Sequence, residues 1–227
     1  MWKKHIRGAF FTQSVFLITD RKNHIYNRRN VVKWRKRKFA ENGETADLEK
    51  EEINMYFGVQ MYGVSKEWKQ DPEGFLKKIY EAGYRQIEPC LGFRVDARDH
   101  GFWIPEDLEQ AMPLLVKYHI EVHTVHIFLD EYHYERELAI LTELAQKYHI
   151  SWFVVKSPAR LTKDVLDETA ARYRELAEEL EKAGAGLLVH NEKEDICIRV
   201  NGKTAYEYLL EACGEKVGAE VDAGWMY

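Results

Sequence analysis

The chain has 227 residues, of which 45% are hydrophobic and 13% aromatic, a composition typical of a globular protein with a sizeable core rather than of a disordered chain. Its three cysteines are odd in number, widely spaced and outside any CxxC motif, which argues against a disulfide framework or a zinc knuckle and favours a reducing cytoplasm. The most apolar N-terminal run, residues 8–19, is too short to cross a bilayer and no clear cleavage site follows it, so we expect neither a membrane anchor nor a secretion signal.

Charge divides the chain into two unlike parts. Residues 1–54 hold 13 lysines and arginines against 7 acidic residues; subtracting these from the totals of 33 and 38 leaves 20 against 31 for residues 55–227. A basic arm of this kind could bind nucleic acid or an anionic membrane, but its composition is more typical of a poorly ordered extension. It could also be a translated leader from a misplaced start codon, because a purine-rich run can encode residues 50–52, shortly before Met55. We predict a folded domain over residues 55–227.

The first half of this domain alternates strands and helices. A short apolar run at residues 57–62 predicts a buried strand, and residues 86–88 predict a second strand with Glu88 at its C-terminal end. Between them, residues 71–73 combine a capping aspartate, a proline and a first-turn acid, so we expect a helix that begins here and ends near Gly83. A second helix begins at residue 105, and Pro113 inside it predicts a kink or an early break.

The second half continues the alternation. The predicted strands are residues 121–127, 152–156, 186–190 and 217–222, with a short extra strand over 196–200; the predicted helices are residues 130–148, 162–182 and 204–213. Asn201-Gly202 predicts a tight turn after the extra strand. Six main strands therefore recur about every 30 residues, the length of one strand plus its crossover helix.

This pattern predicts an α/β fold of the (βα)8 TIM-barrel type. No dinucleotide-binding glycine fingerprint is present, which argues against a nucleotide-binding sheet. A closed barrel needs eight strand–helix units, and the sequence contains about six, so we predict an incomplete barrel with a basic N-terminal extension.

Polar side chains stand where the predicted strands end. The apolar run 186–189 leads into His190, Asn191 and Glu192, and the last strand carries Asp222. Because the carboxyl ends of parallel strands meet at one rim of a barrel, these strands would bring metal-capable carboxylates to the same place. Carboxylates and imidazoles are the ligands that a hard divalent ion such as Mn²⁺ or Mg²⁺ takes while leaving positions open for substrate oxygens.

Several segments follow the order and spacing of one known family. They are Gly58-Val59-Gln60-Met61-Tyr62, residues 71–78, Ala82-Gly83-Tyr84, Ile87-Glu88, His190-Asn191, residues 201–204 and Val221-Asp222-Ala223-Gly224-Trp225. With these segments, nearly all of residues 55–227 resembles bacterial sugar phosphate isomerase/epimerase proteins of the xylose isomerase-like TIM-barrel superfamily. The combination of segments carries the resemblance, since no single one is decisive.

The resemblance implies a divalent metal ion, such as Mn²⁺, Mg²⁺, Co²⁺ or Zn²⁺, held by carboxylates of strands five, six and eight and by a histidine of strand seven. It places Asp222 as the strand-six ligand. At strand five, Glu192 stands where many members have a histidine and Asp195 where they have a glutamate, so these two residues compete for one role, with Asp195 as the predicted ligand. Such an ion polarises the carbonyl of a bound sugar, so that a carboxylate can move the neighbouring proton through an enediolate. Because only six strands are present, we expect the chain alone to have little or no activity.

Strand-end positions and the resemblance together assign candidate roles. We predict that Glu88, Glu192 and His190 are catalytic and that Asp195 and Asp222 bind the metal. The predicted substrate contacts are Gln60, Tyr62, His126, Lys156, Asn191 and Trp225. Plainer roles stay open, such as a helix cap for Asp222, a salt-bridge partner for Glu88 and a solvated lysine for Lys156.

The predicted function is a metal-dependent sugar or sugar-phosphate isomerase or epimerase with a small-molecule sugar as its partner. An inosose dehydratase-like lyase or an endonuclease of the same superfamily is an alternative, although the acidic barrel portion argues against nucleic-acid binding. A non-catalytic barrel fragment or a basic-armed binding protein is another. Homo-oligomer formation is left open.

Overall fold

A computed structural model of the chain describes residues 58–130 and 133–225. The basic extension and the predicted start at Met55 lie outside the described residues. The strands are β1 Gly58–Gln60, β2 Gln86–Glu88, β3 Cys90–Gly92, β4 Thr124–Phe128, β5 Trp152–Lys156, β6 Gly186–His190, β7 Arg199–Val200, β8 Lys203–Thr204 and β9 Val217–Glu220. The α-helices are α1 Ser65–Gln70, α2 Pro72–Glu81, α3 Pro105–Lys117, α4 Tyr134–Tyr148, α5 Lys163–Lys182, α6 Lys193–Cys197 and α7 Ala205–Cys213.

All the main strands run parallel. β1 pairs with β2, and a five-stranded sheet has the order β3-β4-β5-β6-β9. β2 and β3 occupy one strand position that is interrupted at Pro89, whose carbonyl accepts a hydrogen bond of 2.9 Å from the His126 amide on β4. Six barrel strands are thus in place as predicted. Within the described residues β1 and β9 do not pair, so the barrel is not closed.

The core lies between the sheet and its helices. Strands β5 and β6 are buried on both faces, as continuous apolar strands of a parallel sheet should be; Phe153, Val154 and Leu187 are completely buried. The register Lys156↔His190↔Glu220 sets the ends of three neighbouring strands at one level. Polar residues at the C-terminal ends of these strands therefore face a common rim.

The helix signals at α2 are confirmed. Asp71 accepts a hydrogen bond of 2.9 Å from the Gly74 amide, Pro72 is the first helical residue, and Gly83 follows the helix at φ +96°, where a side chain would be strained. No helix within 58–130 or 133–225 has the length and apolarity needed to cross a membrane.

The predicted early break at Pro113 is wrong. α3 continues through Pro113 to Lys117. A proline removes one backbone hydrogen bond from a helix, whereas Leu108, Ala111 and Leu115 anchor α3 in the core on both sides of the proline. Tertiary packing outweighs the local signal here.

The extra strand predicted over residues 196–200 is wrong in its first part. α6 takes up residues 193–197 because Asp195 accepts the Glu192 amide at 2.8 Å and caps the helix, and only β7 is extended. β7 and β8 form an antiparallel hairpin through Asn201 and Gly202, with φ of 50° and 83°, as the predicted tight turn requires. Smaller differences affect α4, which begins at residue 134 rather than 130, and β4, which begins at 124 rather than 121.

Candidate active site

Five ionisable side chains meet at the rim where the parallel strands end. They are Glu88 of β2, His126 of β4, His190 of β6, Glu220 of β9 and Asp222, which follows β9 by two residues. We call these five residues the rim cluster. Each is between 2% and 7% exposed, which is rare for such groups unless they are paired or bind a ligand.

Three members of the rim cluster are close enough to hold a metal ion. Glu88, His126 and Glu220 each offer a ligand atom, and these atoms lie within 4.8 Å of one another. Gln60 Nε2 donates to Glu88 Oε1 at 3.3 Å, and His126 Nδ1 lies 3.9 Å from the same oxygen. Both carboxylate oxygens of Glu220 and Nδ1 of His126 are buried without a hydrogen-bond partner. Three of the potential ligand atoms of these side chains therefore have no hydrogen-bond partner within the described residues.

Burial dominates the electrostatics of these groups. It raises the pKa of Glu88 to about 7 and the pKa of Glu220 well above its ordinary value, and the neighbouring carboxyl group adds to the shift at Glu220. Burial also lowers the pKa of His126 to about 3, so this imidazole is neutral at physiological pH. Neutral imidazole is the form that binds metals.

His190 and Asp222 form the other part of the rim cluster. His190 Nε2 lies 3.5 Å from Asp222 Oδ2, and the ring packs edge-on against His126 with 5.3 Å between centroids. Burial lowers the pKa of His190, and Asp222 opposes that shift. Asn191 holds the two strand ends together, because its amide group donates to the Asp222 carbonyl at 3.2 Å and accepts from the Asp222 amide at 2.8 Å.

The two predicted metal ligands already have hydrogen bonds within the protein. Asp195 Oδ2 accepts the Glu192 amide as the cap of α6, and Asp222 Oδ1 accepts the Gly224 amide at 2.7 Å. Glu192 is half-buried at the start of α6, and burial raises its pKa. These facts place all three residues at the rim without testing their predicted roles.

An aromatic row lies beside the rim cluster. Tyr62 stacks on Phe102 at 5.5 Å, Phe102 on Phe128 at 4.2 Å, and Phe128 on His126 at 5.2 Å between ring centroids. Lys156 Nζ lies 5.8 Å from the centroid of the Phe128 ring. The predicted contacts Tyr62, His126 and Lys156 are thus brought together, whereas Trp225 is 43% exposed after β9.

Sequence reasoning missed Glu220, Phe102 and Phe128. A signal for Glu220 was available, because it stands two residues before Asp222 and residues two apart on a strand share a face. No comparable local signal marks Phe102, which precedes α3 and reaches the row only through the fold.

Several solved protein structures are similar to this chain in fold. Neither a protein-family model nor a curated protein matches the sequence. A solved sugar phosphate isomerase/epimerase from Parabacteroides distasonis is similar in structure, with a TM-score of 0.58 and 21% identity over 74% of this chain and 65% of that one. A xylose isomerase-like TIM-barrel protein from Mycobacterium smegmatis in complex with magnesium gives a TM-score of 0.43 and 15% identity over 68% and 56%. An L-ribulose 3-epimerase gives a TM-score of 0.45 and 16% identity over 71% of this chain and 58% of that one.

The first of these similarities confirms the predicted fold, a TIM barrel that is not closed within the described residues. The chain spans about two thirds of the length of the Parabacteroides protein and less of the other two.

Proposed function

We propose that this xylose isomerase-like barrel is a divalent-metal-dependent sugar or sugar-phosphate isomerase or epimerase that moves a proton through an enediolate. The observation that supports the proposal is the rim cluster, in which carboxyl and imidazole groups of four strands converge at the C-terminal ends of the barrel strands. This is the end of the barrel that carries active sites in enzymes of the fold.

The donors at the rim fit a divalent metal ion. They are carboxylate oxygens and neutral imidazole nitrogens, which suit Mn²⁺, Mg²⁺, Co²⁺ or Zn²⁺. The buried unpartnered oxygens of Glu220 support a bound cation here. Asp195 and Asp222 are the ligands implied by the resemblance, and both lie at this rim. A bound ion would polarise the sugar carbonyl and make the neighbouring C–H group more acidic.

Glu88, His190 and Glu192 are the proposed acid–base groups. A group that transfers protons works best when its pKa lies near the working pH, and Glu88 meets this condition because its pKa is about 7. His190 is oriented by Asp222 at 3.5 Å, as catalytic imidazoles commonly are by a carboxylate. Glu192 is the most accessible of the three and stands next to the strand end.

The aromatic row and nearby polar groups suit a sugar. Tyr62 and Phe128 offer flat apolar faces against which the C–H groups of a sugar ring can pack. We propose that Lys156 binds a hydroxyl or phosphate oxygen of the substrate and that Trp225 covers the substrate. The side-chain amides of Gln60 and Asn191 would contact the substrate at the rim. Exclusion of water by these groups would strengthen the electrostatic interactions of the rim cluster.

Proton exchange tests this function most directly. The full chain is incubated in D₂O with Mn²⁺ and a panel of aldoses, ketoses and their phosphates, and NMR follows the replacement of the C–H proton next to the carbonyl. Because a barrel with six of its eight strands should have little activity, we expect slow exchange with at least one sugar. EDTA should abolish this exchange, and His190→Asn should lower its rate about 100-fold or more, the range for removal of an acid–base group.

Glu67→Gln, a change on the exposed surface of α1, is the matched control and should exchange at the wild-type rate. Release of water from the sugar would instead indicate a lyase. Absence of exchange with every sugar, in a folded and metal-loaded chain, would contradict the proposal.

A further inference from the structure

We propose that Glu88, His126 and Glu220 form a divalent-cation site inside the barrel mouth, separate from the Asp195 and Asp222 position that the family resemblance implies. The site draws one ligand from each of β2, β4 and β9. We infer cation binding from these contacts alone. A catalytic role for the cation rests on the proposed function.

Two buried carboxyl groups approach each other closely at this site. Glu88 and Glu220 are 4% and 2% exposed and offer oxygens within 4.8 Å of each other. Neither carboxylate forms an ion pair with a lysine or arginine among the described residues. Two buried anions at this separation are costly unless they share a proton or bind a cation.

Three of the donor atoms are unused, and the side chains that carry the donors are held in place. Both oxygens of Glu220 and Nδ1 of His126 are buried without partners, and such atoms in a folded protein require an explanation. The His126 ring is fixed between Phe128 and His190, and Gln60 holds Glu88 Oε1 from outside the triad. Support of this kind orients metal ligands in known sites.

Asp195 and Asp222 differ from the triad because the fold already uses their carboxylates. Asp195 caps α6 through the Glu192 amide, and Asp222 accepts the Gly224 amide while facing His190. A cation at that position would compete with hydrogen bonds that the fold already uses. At the triad, both oxygens of Glu220 and Nδ1 of His126 lack such hydrogen bonds, and Glu88 accepts one from Gln60. The triad also combines two carboxylates with a neutral imidazole, a ligand set suited to Mn²⁺, Co²⁺ or Zn²⁺.

This site changes the role of one residue in the proposed reaction. Glu88 becomes a metal ligand, and proton transfer falls to His190 and Glu192. Both lie on the β6 side of the rim. In a sugar bound between them and the cation, the cation would contact the carbonyl oxygen, and His190 or Glu192 would contact the acidic C–H group.

Mn²⁺ titration by calorimetry on the full chain tests the site. We expect one Mn²⁺ per chain, with binding weakened at least tenfold in Glu220→Gln and in Glu88→Gln; the tenfold threshold follows the effect of altering groups around a metal site. Glu67→Gln carries the same chemical change on the surface and should bind as the wild type does. Asp222→Asn should retain Mn²⁺.

Thermal melting with and without Mn²⁺ supplies the second measurement. Without metal, Glu220→Gln should melt at a higher temperature than the wild type because the facing carboxyl pair is removed. With Mn²⁺, the wild type, Glu67→Gln and Asp222→Asn should be stabilised, whereas Glu220→Gln should not. This reversal of order distinguishes a cation site from a purely structural role.

Two results would overturn the proposal: a folded wild-type chain that binds no Mn²⁺, or binding that persists in Glu220→Gln and Glu88→Gln but is lost in Asp222→Asn. Failure of sugar exchange alongside Mn²⁺ binding at the triad would contradict the proposed function and leave the cation site standing.

Discussion

Carboxyl groups in this protein occur in two physical situations, and Asp107 and Glu220 exemplify them. Asp107 accepts two hydrogen bonds from Arg98, at 2.7 and 2.9 Å, and one from the Ile104 amide at 3.0 Å. Burial alone would raise the pKa of Asp107, but these bonds outweigh it and hold the pKa below 3.8. Glu220 has no comparable donors, and its pKa is raised. The first carboxylate stabilises the fold, whereas the second is kept at a cost that ligand binding would offset.

Asp107→Asn should lower the free energy of unfolding by about 1 kcal/mol at neutral pH, since hydrogen bonds to a charged group contribute roughly this much when the partner is partly exposed. The sign of the pH dependence follows from a lowered pKa. The contribution is present above the unfolded-state value of 3.8 and is lost as the pH falls through the lower folded-state value. Urea unfolding at neutral pH and in acid measures the loss of unfolding free energy and its dependence on pH.

Asp96→Asn is the control, because the Arg94–Asp96 pair is exposed and should have no measurable effect. Equal losses in the two variants, or a loss in Asp107→Asn that persists unchanged in acid, would contradict the assignment.

At the scale of elements, α7 fixes the ends of two strands that carry the rim cluster. The Tyr206 hydroxyl lies 2.7 Å from the Val189 carbonyl of β6 and 3.1 Å from the Glu220 carbonyl of β9. It has a single proton to donate, which both carbonyls share. Tyr206 therefore holds the backbone beneath His190 and Glu220 at a common level.

Tyr206→Phe should lower the free energy of unfolding by about 1 kcal/mol, the usual cost of a lost buried hydrogen bond. If the triad binds a cation, the variant should also bind Mn²⁺ more weakly, because Glu220 loses its positional support. Chemical unfolding and Mn²⁺ calorimetry measure the two effects.

Tyr208→Phe removes a hydroxyl from the same helix, where it bonds Asp167 away from the rim, and should leave Mn²⁺ affinity unchanged. Equal Mn²⁺ affinities in Tyr206→Phe and the wild type would show that the hydroxyl only stabilises the fold.

For the whole molecule, stability follows the position of each strand in the sheet. Phe153, Val154 and Val155 of β5 are 0% to 3% exposed and have a strand on either side. β1 is half-buried and pairs only with β2 among the described residues. Local opening should therefore cost most at the centre of the sheet and least at β1.

Native-state hydrogen exchange should show this gradient. We expect the amides of β5 and β6 to exchange slowest, with opening free energies near that of global unfolding, and the amides of β1 to exchange fastest among the sheet residues. Mn²⁺ should slow exchange in β2 and β9 if the triad binds it. Protection of β1 equal to that of β5 would contradict the gradient.

Local patterns in the sequence were sufficient for the order of the six main strands and the longer helices between them, but not for the short helices α1 and α6. The six main strands, the start of α2 at Asp71-Pro72 and the Asn201-Gly202 turn depend on backbone preferences and on the periodicity of a few neighbouring residues, which any sequence displays directly. The resemblance to the xylose isomerase-like superfamily rested on the same local segments, and the structural similarity confirms the barrel fold that it implied. His190 and Asp222 were chosen because each ends a strand, and both lie at the rim.

Only the tertiary structure decided which of these groups meet. Glu220 joins Glu88 and His126 because the register of β6 and β9 and the open curvature of the sheet bring distant strands to one place, a property that no short segment contains. α6 likewise forms because Asp195 is buried as its cap, although the residues after it alternate as in a strand. Sequence periodicity determines which face of an element is apolar, but burial and contact between remote elements determine which polar groups lose water, and that loss creates the candidate site.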